Sequence, residues 1–214
     1  MRAAHAALHQ GIGTHDAWMK ASVDYYLAQH PEDSIWRWTG PEAGIPSIEQ
    51  IRDRAAVADR ANKALPRDGR IDPDPERHDT WSAQLGWAHE TLGAVITDGF
   101  LEAVAALKTG DPSGLEYGVR FLEADPWCHR SGYWKERLIP KIVQFELDET
   151  MRQRLARVVL AVVDDPRRRR EIRKYGTLAC AVVIEDLRAR LEQRATADDL
   201  QVRFNAGQVL ERLS

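Results

Sequence analysis

Cysteine is scarce in this sequence, and its two cysteines, Cys128 and Cys180, lie far apart along the chain. Small disulfide-stapled domains carry several cysteines at regular spacing, so that class is excluded. The chain also lacks an apolar run of the roughly 18 residues that a membrane-spanning helix needs. Its first residues lack the apolar core of a secretory signal peptide. We therefore expect a cytoplasmic protein with two free thiols and no membrane contact.

A strong net charge is absent as well, since 30 basic and 33 acidic side chains leave a formal charge of −3. This balance argues against a protein whose main role is to bind polyanions. No glycine-rich phosphate-binding loop follows an apolar run. With 43% hydrophobic and 29% charged residues, the composition is that of an ordinary folded domain.

What the chain does contain is a series of helix start and stop signals. The tetrapeptide Ser47-Ile48-Glu49-Gln50 is a capping box that opens a helix, and Pro66 ends it. Residues 66–79 are rich in proline and acidic side chains, which predicts a linker. The linker would separate a helical segment over residues 1–66 from a helical region over residues 79–214. One continuous domain is also compatible with this pattern.

Three Asp-Pro pairs punctuate the second half, at Asp111, Asp125 and Asp165. An aspartate at the N-cap followed by proline is a strong start signal, because proline lacks the N–H that would otherwise lose its partner. Thr196 to Asp199 form a further start. These signals predict helices over residues 113–124, 130–146, 149–164, 167–193, with Gly176 as a possible break, and 197–213.

Two β-branched runs, residues 158–163 and 181–184, admit an alternative. Each would suit a buried parallel strand, and a helix between them would complete a βαβ unit. The helical spacing of Met151, Leu155 and Val162 continues through the first run, and Leu187 and Leu191 extend the second in the same way. We therefore predict helices here.

The last predicted helix carries the most informative pattern. Asp199 would cap it, Val202, Ala206 and Leu210 would form one apolar stripe, and Arg203 would border that stripe. This pattern resembles a helix of a HEAT-like or armadillo-like repeat, and the starts at Asp125, Asp165 and Asp198 are spaced near such a period. The resemblance covers roughly residues 111–214. It implies an all-α fold of stacked helix pairs, an α-solenoid in the C-terminal half with an N-terminal helical layer or cap, and a curved binding surface. It implies no catalytic residues.

The segment from residue 125 to residue 137 is the densest in functional side chains. A helix N-terminus attracts anions, and Arg130 would add a fork of hydrogen-bond donors. The same aromatic residues would equally fill a structural corner in which Arg130 pairs with Asp125. If the protein has a site, we expect it here, with these ligand-binding residues: Trp127, Arg130, Tyr133, Trp134 and Arg137.

Two hypotheses of function follow. The first is a binding or scaffolding module that recognises a protein or an acidic ligand through this corner. The alternative is a cofactor-free enzyme acting on a small anionic molecule in a tryptophan-lined pocket. In that enzyme His129 or His89 would be the general base and Asp125 would orient it. We predict no metal site, because His5 and His9 alone are too few ligands.

Arg167 to Arg170 form a basic run, which raises a third hypothesis, the binding of nucleic acid. Four consecutive arginines point in different directions, and no aromatic stacking residues are adjacent in the sequence. We expect a solvated face, with some arginines paired to Asp164, Asp165 or Glu171, and do not favour nucleic-acid binding. The sequence does not indicate the oligomeric state.

Overall fold

The computed structural model describes residues 44–63, 98–128, 131–182 and 186–213 of the chain. The described residues fall into two compact units. One contains residues 44, 49–63 and 126–128, and the other contains residues 45–48, 98–125, 131–182 and 186–213. The predicted linker, residues 66–79, lies outside the described residues, as do His5, His9, His89, His129 and Arg130.

Helix α1 (Ile48–Lys63) supplies most of the described residues of the first unit. It begins directly after Ser47, as the capping box predicts, and ends at Lys63, shortly before Pro66. Ile51, Ala55 and Ala58 are buried along one side of it. The helical prediction for this segment is therefore confirmed at its start, while Pro66, its predicted end, lies outside the described residues.

Seven α-helices lie in the described residues of the second unit. They are α2 (Asp98–Lys108), α3 (Leu115–Ala124), α4 (Ser131–Ile142), α5 (Glu149–Asp164), α6 (Ile172–Ala181), α7 (Leu187–Arg194) and α8 (Leu200–Leu213), and a 3-10 turn (Pro112–Gly114) precedes α3. The part of the chain that the structure describes contains no β-strand, so the all-α prediction is confirmed there. Residues 158–163 lie within α5, which confirms the helical interpretation of that run. Of the second run, residues 183–184 lie outside the described residues.

Local capping explains several of these limits. Asp111 accepts a 2.9 Å hydrogen bond from the backbone N–H of Ser113, with Pro112 at the first position of the 3-10 turn. Asp199 accepts hydrogen bonds from the N–H groups of Gln201 and Val202, at 2.8 and 3.0 Å. Both aspartates therefore start their segments as the sequence predicts.

The predicted helix over residues 167–193 is wrong, because residues 166–171 precede α6 without helical structure and Val182 and Asp186 interrupt the rest. Gly176 is not the break; it lies inside α6, in close contact with Arg212. A Cβ added there would lie 2.8 Å from Cγ of Arg212. Glycine at this point allows α8 to approach α6 closely.

The helices of the second unit pack as pairs: α3 contacts α4, α5 contacts α6 and α7 contacts α8. Further contacts join α3 to α5, α5 to α7, α4 to α6 and α6 to α8. Phe100 of α2 is fully buried and contacts Phe121 of α3, with ring centroids 4.4 Å apart. Arg154 links α5 to α3 through 2.7 Å hydrogen bonds to both Glu116 and Glu123.

The buried side of α8 differs in part from the predicted stripe. Ala206 is buried, but Val202 and Leu210 are half-buried, and Asn205 and Val209 complete the fully buried side. The amide of Asn205 donates hydrogen bonds to the backbone carbonyls of Val163, at 3.4 Å, and of Asp165, at 3.1 Å. Asn205 thereby satisfies carbonyls at the C-terminal end of α5, where helices leave acceptors without partners.

Candidate functional site

Charged side chains converge where α3 ends, α5 ends and α6 begins. We call this group the buried charge cluster; its members are Asp125, Lys135, Asp165, Arg167, Arg169 and Glu171. Three carboxylates and three cations make it formally neutral. This balance allows charged groups to lie inside the domain, because a buried charge is tolerated only when it is paired.

Asp125 is the centre of the cluster. It ends α3 in the left-handed conformation, with φ 45°, and its N–H donates to the carbonyls of Phe121 and Leu122. Aspartate tolerates this backbone geometry better than most residues. The prediction that Asp125-Pro126 is a helix start signal is therefore wrong. Its carboxylate points to cations from two other elements instead.

Both oxygens of Asp125 are engaged. Nζ of Lys135 donates to Oδ1 at 2.5 Å, while Nη1 and Nη2 of Arg169 donate to Oδ1 and Oδ2 at 2.8 and 2.6 Å. The arginine contact is a bidentate pair, the strongest common geometry between these groups. Asp125 therefore joins α4 and the segment before α6 to the end of α3.

Lys135 is fully buried on α4, and its Nζ also lies 3.8 Å from Oε1 of Glu171. Lys135 is not among the predicted site residues. A signal was present, however, since Lys135 occupies the same helical side as Leu138, Ile139 and Ile142, all of which are buried. A lysine within such an apolar stripe indicates a buried partner carboxylate.

The four-arginine run is divided between the interior and the surface. Arg169 is buried and donates to Asp165 as well as to Asp125, and Arg167 donates to both oxygens of Asp165. Arg167, Arg168 and Arg170 are exposed. The predicted pairing of this run with Asp165 is therefore confirmed for Arg167 and Arg169, although the run precedes α6 rather than opening a helix.

Glu171 and Tyr175 complete the interior of the site. A Cβ added to Gly132 would lie 2.8 Å from Oε2 of Glu171, so the carboxylate packs against the first turn of α4. Oε1 of Glu171 and the hydroxyl of Tyr175 are buried without hydrogen-bond partners. Burial raises the pKa of Tyr175 well above its usual value, so this hydroxyl stays neutral.

Asp165 is the carboxylate whose ionisation the cluster favours most clearly. Burial by itself raises the pKa of Asp165, but the hydrogen bonds from Arg167 and the charge of Arg169 outweigh it. The net effect lowers the pKa well below the usual range. Asp165 is therefore ionised at any physiological pH and serves as a fixed negative charge.

Exposed side chains on α4 and on the segment before α6 lie in contact with one another. The ring of Tyr133 is 50% exposed, and the guanidinium carbon of Arg170 lies 3.7 Å from its centroid. Nε of Arg170 also donates a 3.1 Å hydrogen bond to Glu136, one turn further along α4. Tyr133 and Arg170 thus form a stacked pair at the surface, which a cation–π contact stabilises.

Trp134 and Arg137 lie beside this pair in sequence but differ in exposure. Trp134 is half-buried and contacts Phe100 edge-on, with centroids 5.6 Å apart. Arg137 is exposed, 5.5 Å from the Trp134 ring centroid. Trp127, in the other unit, is 38% exposed. Of the predicted ligand-binding residues, Tyr133, Trp134 and Arg137 therefore share α4, while Arg130 lies outside the described residues, as do the candidate bases His129 and His89.

Comparison with protein-family models, curated proteins and solved structures finds no match for this chain. None of the helices in the described ranges is long and apolar enough to cross a membrane. The described residues also contain no group of three His, Cys, Asp or Glu side chains placed to hold a metal ion. Cys128 and Cys180 are both thiols.

Proposed function

We propose that this chain is a helical binding module that recognises an acidic segment of a protein partner through Tyr133, Arg168 and Arg170. These residues form what we call the arginine–tyrosine surface. The observation that carries the proposal is the stacked pair of Tyr133 and Arg170, 3.7 Å apart and half-exposed, above a buried and fully charged network. The two thiols support a reducing, cytoplasmic setting.

The packing of the second unit supports a scaffold of the repeat type. In a stack of helix pairs, the first helix of each pair contacts the first helix of the next pair, and the second contacts the second. The contacts α3–α5–α7 and α4–α6–α8 follow this order. On this proposal, α3 to α8 form a short HEAT-like stack, and α2 packs beside its first pair.

The buried charge cluster supports binding because it fixes the segment that carries Arg168 and Arg170. Arg167 and Arg169, on either side of Arg168, are held by Asp165 and Asp125. A surface that is already ordered loses less conformational entropy when a partner binds. Tyrosine and arginine are also the side chains that contribute most often to binding hot spots.

The charge of this surface supports an acidic segment of a protein as the ligand. Arg168 is exposed and has no ion-pair partner among the residues that the structure describes. Guanidinium groups bind carboxylates through two parallel hydrogen bonds. The formal net charge of the chain, −3, is a reason not to favour nucleic acid.

The enzyme hypothesis receives less support. It needs Asp125 to orient His129, yet both Asp125 oxygens already accept hydrogen bonds from Lys135 and Arg169. The carboxylate of Asp125 is therefore engaged in ion pairs within the domain. This arrangement favours a binding module over a catalytic dyad built on Asp125.

The test is co-purification from an extract of the source organism with three forms of the protein. These are the unmodified chain, the double charge reversal R168E/R170E, and the control R157E, which reverses an exposed arginine on α5. The proposal expects at least one protein to be retained by the unmodified chain and R157E but lost from R168E/R170E. Identical retention by all three forms would overturn it, provided that circular dichroism shows each form folded.

A further inference from the structure

The outward side of α8 carries large apolar side chains. Leu200 is 71% exposed and Phe204, one turn later, is 54% exposed. Gly207 and Glu211 continue the same side at the next turns, because residues three or four apart share a helix face. The opposite side of α8 is anchored by Asn205, so the helix cannot rotate to bury Leu200 and Phe204.

Within the described helices, Gly207 is the glycine that no neighbouring atom of its own chain requires. In the helices that the structure describes, a Cβ added to any other glycine would lie within 3.3 Å of a neighbouring atom; these are Gly99, Gly118, Gly132 and Gly176. A Cβ at Gly207 would meet nothing within 4 Å. A glycine inside an exposed helix weakens that helix, so its presence indicates a close approach by something outside the chain.

Charge on either side of Gly207 identifies the partner. Arg203 lies one turn before Gly207 and Glu211 one turn after it, and both are exposed. Glu211 accepts only a long 3.5 Å hydrogen bond, from Gln208. When two such helices cross antiparallel at Gly207, two-fold symmetry places Arg203 of each copy beside Glu211 of the other. Opposite charges then meet twice, once on each side of the crossing point.

We infer that a second copy of this chain docks on α8, antiparallel, with the two helices crossing at Gly207. Phe204 of each copy packs on the exposed backbone around Gly207 of the other copy, and Leu200 lies at the periphery of the interface. Such an interface is isologous, so every contact occurs twice. Because one helix from each copy forms it, the interface is small, and the dimer dissociates in a measurable concentration range.

The experiment is sedimentation equilibrium of the full chain from micromolar to submillimolar concentration. The expected result is a reversible dimer of twice the 24.3 kDa chain mass. F204E should weaken it by about tenfold or more. The control L101E replaces an equally apolar side chain, 44% exposed on α2, and should leave the dissociation constant unchanged. A monomer at every concentration, or a dimer that F204E leaves intact, would overturn the inference.

A charge exchange tests the antiparallel geometry. R203E and E211R should each weaken the dimer, because each places like charges together. The double variant R203E/E211R restores both ion pairs and should dimerise again. An equimolar mixture of the two single variants should likewise form heterodimers, since each chain supplies the charges that the other needs. Failure of both rescues would contradict the antiparallel crossing at Gly207.

Discussion

Nζ of Lys135, a fully buried amine on α4, donates a 2.5 Å hydrogen bond to Oδ1 of Asp125, the residue that ends α3. The same carboxylate receives the guanidinium of Arg169 from the segment before α6. One aspartate therefore fixes two further elements, and the arginine–tyrosine surface is built on those elements. The stability of the second unit should depend on these pairs.

Lys135→Met should lower the free energy of unfolding by about 3–5 kcal/mol, because it leaves buried carboxylates short of a cation. Urea denaturation measures this change. The matched control is Arg188→Met, which breaks an exposed pair with Glu192 and should cost less than about 1 kcal/mol. Equal losses of unfolding free energy in the two variants would show that the buried pair contributes no more to stability than the exposed pair.

Tyr175→Phe should change the free energy of unfolding by less than about 1 kcal/mol, in either direction. The hydroxyl is buried and has no hydrogen-bond partner, so its removal loses no bond while the ring keeps its contacts. The same denaturation experiment decides the matter. A loss of more than about 2 kcal/mol would mean that the hydroxyl is bonded in solution, for example through a buried water.

Asp165→Asn should flatten the dependence of stability on acid pH. The pKa of Asp165 is lower in the folded protein than its ordinary value of 3.8, because the pairs with Arg167 and Arg169 outweigh the effect of burial. Its stabilisation is therefore fully present above pH 4 and is lost as the pH falls through the folded pKa. Urea titrations between pH 7 and about pH 3 should show a shallower slope for the variant. Parallel curves would contradict the assignment.

Asn205→Asp should destabilise the protein more than Asn205→Ala does. The alanine variant loses the hydrogen bonds to the carbonyls of Val163 and Asp165, at a cost of about 1–3 kcal/mol. The aspartate variant keeps the size of the side chain but places a carboxylate against those carbonyls. Thermal unfolding of both variants tests this order, and an aspartate variant as stable as the original would refute it.

The limits of several helices could be predicted because they depend on neighbouring residues. Asp199 caps α8, and the apolar spacing of residues 151–162 identified α5 as a helix. The three Asp-Pro pairs show that neighbouring residues do not always decide where a helix starts. Asp111 caps the 3-10 turn, whereas Asp125 and Asp165 each follow the end of a helix and bind cations, although Asp165 also accepts a 2.9 Å hydrogen bond from the backbone N–H of Arg167.

The buried charge cluster could not be predicted from local pattern, because its partners are distant in the chain. Arg169 lies 44 residues from Asp125, and its bidentate contact outweighs the capping role that Asp125-Pro126 suggests. The exposed part of the site was more accessible to prediction. Tyr133 and Arg137 are among the predicted ligand-binding residues and both are exposed on α4, whereas the stacking of Arg170 on Tyr133 depends on where residues 166–171 fold.

The most direct test of the proposed function is a double-mutant cycle on Tyr133 and Arg170. The dissociation constant for the co-purified partner is measured by calorimetry for Y133A, R170A, the double variant and the control R157A. Each substitution at the surface should weaken binding by about tenfold or more. Because the two side chains stack, the double variant should weaken it by less than the product of the single effects. Dissociation constants that match the control in all three variants would contradict recognition through the arginine–tyrosine surface.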